Sequence, residues 1–314
     1  MKIKGHLDLF SGIGGFSLGL QRAGIEPDWI GFSDIDKYAN KVFKRRFKYA
    51  EELGSITDVS YKSLRGRRID LLTGGFPCQA FSIAGKRKGF DDTRGTLFFD
   101  IKRLLQDYIR HEKAISCILL ENVKGLLNHN NGRTFATIYG ILSNLNYTIE
   151  CQLVNTKWWL PQNRERIYIF GRYSGNPSGR KVFPIYNPSK EFNNRKTKIS
   201  NCLQHPGHSG GNYKGMTMIK THTLHPRSGN PKQGGTGPLS KEDGTTYCLD
   251  TGNAQAIEYK SRIRRLTPIE CERLQGFPDG WTDGQSDTQR YKQCGNAVSV
   301  CVTETIFKKI YEKT

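Results

Sequence analysis

Ile69-Asp70-Leu71-Leu72-Thr73-Gly74-Gly75-Phe76-Pro77-Cys78-Gln79-Ala80-Phe81-Ser82 decides the fold. Its first five residues form a short apolar run, the pattern of a buried parallel strand. Two glycines and a proline end that run, so Cys78 falls on a loop at the strand's C-terminal edge, where open α/β sheets build their sites. Residues 83–96, rich in Gly, Lys, Arg and Asp, read as a mobile loop. A lone cysteine is ordinarily a small buried hydrophobe. A Pro-Cys pair between a strand end and a polar, glycine-bearing loop points instead to a nucleophile.

Upstream, His6-Leu7-Asp8-Leu9-Phe10 reads as a strand and Ser11-Gly12-Ile13-Gly14-Gly15-Phe16 as a glycine turn opening a helix through Arg22. Such a turn lets backbone approach a ligand at a helix N-terminus. The third glycine of a dinucleotide fingerprint falls at Ser17, so a nucleotide-type site and a simple tight turn both stay open. Residues 29–33 form a second strand ending at Asp34-Ile35-Asp36, where an acid about 20 residues past the glycines suits a ribose. Asp36 reads as the cap of a helix over 37–47. Downstream, Leu97, Phe98, Ile101, Leu104, Leu105, Tyr108 and Ile109 keep helical spacing, so one face packs on a sheet. Residues 115–120 form an apolar strand with Glu121-Asn122-Val123 at its end. A helix over 135–145 and strands at 147–154 and 167–171 complete an alternation that predicts a doubly wound, Rossmann-like parallel sheet to about residue 175.

The 314 residues carry 48 Lys and Arg against 29 Asp and Glu, a net +19 that favours a polyanionic partner, nucleic acid first. Between Tyr173 and Arg262 lie seven of the twelve prolines and twelve glycines, with 13 bases against 5 acids. Helical periodicity vanishes there, predicting a smaller irregular or β-rich module suited to a phosphate backbone. Helical patterns return over 264–281 and 293–310. The expected domains are therefore 1–175, 176–285, and a segment 286–314 returning to the first. Cys202, His205, His208, His222 and His225 lack the paired spacing of a zinc site, so no metal is expected. Eight cysteines without framework spacing, no signal-peptide core and no membrane-length apolar run predict a soluble, cytoplasmic protein with reduced thiols, and a monomer is expected.

Taken together, the ordered motifs resemble the DNA (cytosine-5) methyltransferases of bacterial and phage modification systems. They are Asp8-Leu9-Phe10-Ser11-Gly12-Ile13-Gly14-Gly15-Phe16, Gly75-Phe76-Pro77-Cys78-Gln79, Glu121-Asn122-Val123, Gln162-Asn163-Arg164-Glu165-Arg166, Arg265-Leu266-Thr267-Pro268 and Gln293-Cys294-Gly295-Asn296-Ala297-Val298. The resemblance implies methyl transfer from S-adenosylmethionine to cytosine C5. By the same resemblance Cys78 attacks C6, Glu121 serves ring N3, and Arg166 contacts O2, with Arg164 two residues away on one face of an extended segment. Cofactor contacts implied are Phe10, Ser11, Gly12, Gly14 and Gly15, then Asp34 at the ribose and Ile35 on adenine. Pro77, Leu97, Asn296 and Ala297 complete them. Where the family has Asp before Ile at the adenine amine, this sequence has Ser55-Ile56.

A stacked base is out of reach, so the target must be flipped, and DNA contacts must offset that cost. The resemblance assigns closure over DNA to the loop 79–96, with Gln79, Ser82, Lys86, Arg87, Lys88 and Arg94. It gives sequence reading to the basic module, where Thr223-Leu224 and Cys248-Leu249-Asp250 are candidate reading loops. The length of that module favours duplex DNA over tRNA as substrate, and the full set of chemical residues favours an enzyme over a silent DNA binder.

Overall fold

The computed structural model describes residues 1–77, 97–174, 181–186, 220–224, 240–252, 254–259 and 262–312. Contacts divide the chain into two compact units. Met1–Val154, Glu165–Ile185 and Val302–Thr314 form the first, and Asn155–Arg164 with Tyr186–Cys301 form the second.

In chain order the first elements are β1 (Lys2–Leu9), α1 (Gly15–Arg22), β2 (Glu26–Ser33), α2 (Lys37–Arg46), β3 (Glu51–Glu52), β4 (Leu71–Gly75), α3 (Leu97–Arg110), β5 (Cys117–Val123), α4 (Arg133–Asn144), β6 (Tyr147–Asn155), β7 (Gln162–Asn163) and β8 (Glu165–Tyr173). Seven of the strands form one sheet in the order β3-β2-β1-β4-β5-β8-β6. The central strands β1 and β4 are buried on both faces, which is why they read as continuous apolar runs rather than alternating ones. α3 turns Phe98, Ile101, Leu104, Leu105 and Tyr108 into the core at helical spacing. α2 is held to β2 by Phe43, whose ring stacks on Phe32 with centroids 4.1 Å apart.

The sheet is parallel from β3 through β5. β8 then pairs antiparallel with β5, which corrects the expectation of a parallel sheet throughout. Its apolar run gives no direction, because strand polarity depends on the route of the preceding connection and not on the strand's own residues.

The second unit holds β9 (Lys220–Thr223), β10 (Ser240–Lys241), β11 (Thr246–Tyr247), β12 (Gln255–Tyr259), β13 (Arg262–Arg265), α5 (Pro268–Gln275) and α6 (Asp287–Asn296). Strands β10-β9-β12-β13 form an antiparallel sheet, and β11 pairs with β7. The helical reading of 264–281 is corrected at its start. Arg264 and Arg265 belong to β13, and α5 begins only where Thr267 and Glu270 form a capping box with Pro268 in the first turn. The expected helix over 293–310 is two helices. Ala297 adopts extended backbone (ψ 150°) after α6, and α7 (Val300–Tyr311) starts afresh. From Val302 onward α7 packs in the first unit, against α1. Thr303 Oγ1 donates to Gly15 O at 3.2 Å, and a Cβ on Gly19 would collide with that same hydroxyl.

Candidate active site

The C-terminal ends of β1, β4 and β5 lie side by side, bringing Phe10, Gly75 and Glu121 to one edge of the sheet. β1 is followed by Phe10, whose φ of 52° is a left-handed conformation that non-glycine residues seldom adopt. Gly12 (φ 52°) and Gly14 (φ 85°) continue the turn. At Gly14 an added side chain would strike the Phe47 and Phe43 rings, whereas the space beside Gly12 is open. Strain gathered in one turn marks a site where backbone geometry is imposed by function.

β2 delivers Asp34 to the same turn. Its carboxylate accepts from Gly12 N and from Asp36 N, both at 2.8 Å. Burial raises its pKa, opposed by these backbone N–H groups. Asp36 caps α2 by accepting from Tyr38 N and Ala39 N, as expected. Ile35 between them is 85% exposed, an apolar face turned to solvent. Ser11 Oγ is buried without a partner among the described residues. An open glycine, an unpaired buried hydroxyl, a carboxylate and an exposed apolar side chain fit a nucleoside-bearing ligand with a polar tail. The residues present therefore suit the expected cofactor.

Across the sheet, register places Glu121 beside Gly75, three residues before Cys78. Glu121 is 8% exposed, and Arg166 Nε lies 3.1 Å from its Oε1. The antiparallel pairing makes this possible. Arg166 stands opposite Val123, so its side chain shares a face with Glu121, two residues back, and reaches it diagonally. Asn122 points the other way and fixes the neighbouring loop. Its amide donates to Phe76 O at 2.8 Å, while its oxygen accepts from Val123 N. The segment entering Pro77-Cys78 is thereby tied to the strand that carries the acid. Pro77 itself is exposed and Leu97, at the start of α3, is half-buried. Cys78, Gln79, Ser82, Lys86, Arg87, Lys88 and Arg94 lie outside the described residues.

Within the second unit Arg164 is given a different task from Arg166. Its guanidinium is buried and donates to Ala297 O at 2.8 Å and Gly295 O at 3.2 Å. Arg164 and Arg166, read together on one face of an extended segment, thus have separate partners. Gln275 supports the same turn, donating to Cys294 O at 2.7 Å and accepting from Ser299 Oγ at 2.9 Å. Ser299 Oγ is also 2.8 Å from Thr156 Oγ1, and Gln162 Nε2 donates to Leu274 O. Asn296 and Ala297 thus sit on a turn held by a buried polar network. Of the expected reading pair, Thr223 is buried in β9, and Leu224 is half-buried with its N–H on Ala254 O. Leu249 is a core residue, and Asp250 accepts from Gly252 N, Ala254 N and Gln255 Nε2.

Comparison with known proteins decides what this geometry belongs to. The model of the C-5 cytosine-specific DNA methylases matches residues 5–312. The chain belongs to the C-5 cytosine-specific DNA methylase family. It is 40% identical to the Type II methyltransferase M1.ScrFI of Lactococcus lactis subsp. cremoris, over 98% of this chain and 77% of that protein. It is 37% identical to the Type II methyltransferase M.HpaII of Haemophilus parainfluenzae, over 98% and 89%. The fold is that of the S. pombe Dnmt2 methyltransferase crystal structure, with a TM-score of 0.74 at 21% identity and 99% of both chains covered. The chain is thus an enzyme, a cytosine-C5 DNA methyltransferase.

In this methyltransferase Ser55 caps a 3-10 turn, Ile56–Asp58, accepting from Thr57 N at 3.3 Å, and Ile56 is buried. Behind the glycine turn lies a buried polar chain that sequence reasoning missed. His6 Nε2 is 2.9 Å from Thr73 Oγ1, which donates to Asp8 Oδ1, and Ser17 Oγ donates to Asp8 Oδ2. Burial pushes the Asp8 carboxyl up to about 7 and the His6 imidazole down to about 3. His6 and Asp8 at i, i+2 on an otherwise apolar strand were the available signal. Gln162, Gln275 and Ser299 gave none, since a buried amide and a wet one look alike in sequence. His222 lies 3.2 Å from Glu258, and Cys202, His205, His208 and His225 lie outside the described residues. Among the described residues no helix is long and apolar enough to cross a membrane.

Proposed function

We propose that this enzyme methylates one cytosine within a specific duplex DNA sequence, with Cys78 as nucleophile and S-adenosylmethionine as the methyl donor. The observation that carries the reading is the Glu121–Arg166 pair, buried beside the strand end that leads to Cys78. Cytosine C5 is a poor nucleophile, so Cys78 Sγ first bonds to C6 and pushes electron density toward C5, N3 and O2. Glu121 hydrogen-bonds N3 and Arg166 faces O2, the atoms on which charge develops. C5 then takes the methyl group; solvent takes the C5 proton, the C–H bonding pair re-forms the C5–C6 double bond, and Cys78 leaves C6 as the thiolate, restoring the aromatic ring.

When bound, S-adenosylmethionine supplies an activated methyl group. Phe10 and Ile35 pack on its adenosyl part, Asp34 receives the ribose hydroxyls, and Ser55 with Ile56 borders the adenine. Ser11, Gly12, Gly14 and Gly15 hold the methionine end, with the unpaired Ser11 hydroxyl and the open space beside Gly12 turned to it. Pro77, Leu97, Asn296 and Ala297 are the further cofactor residues that the resemblance implies. Arg164 acts through Asn296 and Ala297 as a positioning residue.

Residues 79–96 close over the DNA, with Gln79 and Ser82 as DNA contacts and Lys86, Arg87, Lys88 and Arg94 on phosphates. Residues 176–285 select the sequence, with Thr223 and Leu224 at the reading edge. The protein works as a cytoplasmic monomer. The test is transfer of labelled methyl from S-adenosylmethionine to duplex DNA and to tRNA, run side by side. Duplex labelling that is lost in Cys78→Ala supports the reading, and labelling of tRNA alone contradicts it.

A further inference from the structure

Helix α2 carries a charge pattern that neither its packing nor the methylation chemistry explains. From Lys37 through Ala50 the sequence has Lys37, Lys41, Lys44, Arg45, Arg46 and Lys48, and no acid. One side of the helix is fixed by burial of Ala39, Asn40, Val42 and Phe43. The other exposes Lys37, Tyr38, Lys41, Lys44 and Arg45. Past its last turn it adds Lys48 and a wholly exposed Tyr49.

Like charges three or four residues apart weaken a helix, and a base in the first turn opposes the helix dipole. A face meant only to be wet relieves both by mixing signs. The same chain does so elsewhere. On α3 Arg103 pairs with Asp100 and Arg110 with Asp107, and at the end of α7 Lys308 pairs with Glu304 and Lys309 with Glu312. On α2 the bases of the last turn suit the dipole, and Lys44 reaches Glu52 at 2.6 Å. Lys37 and Lys41 have neither justification. Their ammonium groups instead converge on the exposed Tyr38 ring, 5.4 and 5.9 Å from its centroid. With Lys44 they form one stripe, rising about 1.5 Å per residue.

We propose that the exposed face of α2 is a second, sequence-independent hold on duplex DNA, contacting phosphates away from the base being methylated. The occupant follows from charge and shape. A straight positive stripe matches a duplex carrying one negative charge per about 1.7 Å of axis, and the Tyr38 and Tyr49 hydroxyls are donors of the kind that meet phosphates. Contacts of this type carry no sequence information, and they keep the protein on DNA while it moves between sites. The inference rests on DNA being the substrate, and it uses none of the residues assigned to chemistry.

The test compares the parent with a Lys37→Gln, Lys41→Gln, Lys48→Gln protein on a random-sequence duplex across a salt series. Each lost phosphate contact removes about 0.9 from the slope of log K against log salt, so the slope should become shallower by about 2.7. Affinity near 0.1 M salt should fall at least tenfold, with the melting temperature not lowered and the methylation rate at saturating DNA unchanged. Lys41→Glu alone should weaken binding more than Lys41→Gln. An unchanged slope in a folded triple variant overturns the proposal, as does a loss seen on tRNA and not on duplex. Because binding is read without turnover, a parent that binds but does not methylate would indict the proposed reaction and leave this face standing.

Discussion

Glu121 Oε1 and Arg166 Nε meet at 3.1 Å across β5 and β8, two strands that run in opposite directions. Both side chains are largely buried, so each offsets part of the other's buried charge. Removing one partner of such a pair strands the other and costs about 3 kcal/mol. Arg166→Ala should therefore lower stability by about that amount and abolish measurable methylation. Glu121→Gln keeps the shape and loses the acid. It should cost on the order of 10²–10⁴ in kcat, typical of a lost general acid, and, because it leaves the Arg166 charge without its carboxylate, it should also lower the urea midpoint, though less than Arg166→Ala. A Glu121→Gln protein with near-parental kcat would remove Glu121 from the chemistry.

Arg164 offers a contrast two residues away. Its buried guanidinium grips two carbonyls at once, Gly295 O and Ala297 O, which an ammonium group does not reproduce. Arg164→Lys should raise KM for S-adenosylmethionine about tenfold while lowering kcat much less, because the turn loosens and the reacting groups are untouched. Gln275→Ala, which takes the side-chain donor from Cys294 O and one of two partners from Ser299 Oγ, should cost about 1–3 kcal/mol in urea unfolding. Equal falls in kcat and kcat/KM for Arg164→Lys would instead mark it as a base contact.

At Ser55 the hydroxyl caps the Ile56–Asp58 turn, and aspartate is also a good N-cap. Ser55→Asp is thus compatible with the fold and adds a charged acceptor for the adenine amine. Replacing a neutral hydrogen bond by a charge-assisted one should tighten cofactor binding by about 1 kcal/mol, or about fivefold by calorimetry. Unchanged affinity there, with a large loss in Asp58→Ala, would transfer the adenine contact to Asp58.

The buried His6–Thr73–Asp8 chain makes a prediction about pH. Asp8, raised to about 7, keeps its proton in the folded state while the unfolded chain loses it above about 4, so its contribution falls as pH climbs from 4 to 7. His6, lowered to about 3, does the reverse. The unfolded chain takes up a proton below about 6.5, so its contribution rises with pH up to that point. Between about 4 and 6.5 the two slopes cancel. His6→Gln removes the rising limb. Its stability should drop relative to the parent by about 1.4 kcal/mol per pH unit between pH 5 and 6.5, measured by urea unfolding. Parallel stability curves for the two proteins would show that His6 does not titrate this way.

Periodicity made the first unit legible, because buried parallel strands and one-faced helices such as α3 announce themselves in apolar spacing. The strand ends bearing Phe10, Asp34 and Glu121 followed from the same reading. Direction and detour did not. Nothing in residues 165–173 states that β8 runs against β5, and residues 155–164 join the second unit although β6 and β8 flank them in the first. The break after Asn296 was hidden because Ala297 and Val298 suit a helix as well as a turn. Arg164 and Arg166 look equivalent in sequence, and only their partners separate them.

The central claim is that this chain methylates cytosine through Cys78. Bisulfite sequencing of DNA from a host expressing the chain, beside one expressing Cys78→Ala, tests it most directly. The account predicts protected cytosines at one recurring sequence with the parent and none with the variant. The same protected sites in both hosts, or none in either with the protein folded and abundant, would contradict it.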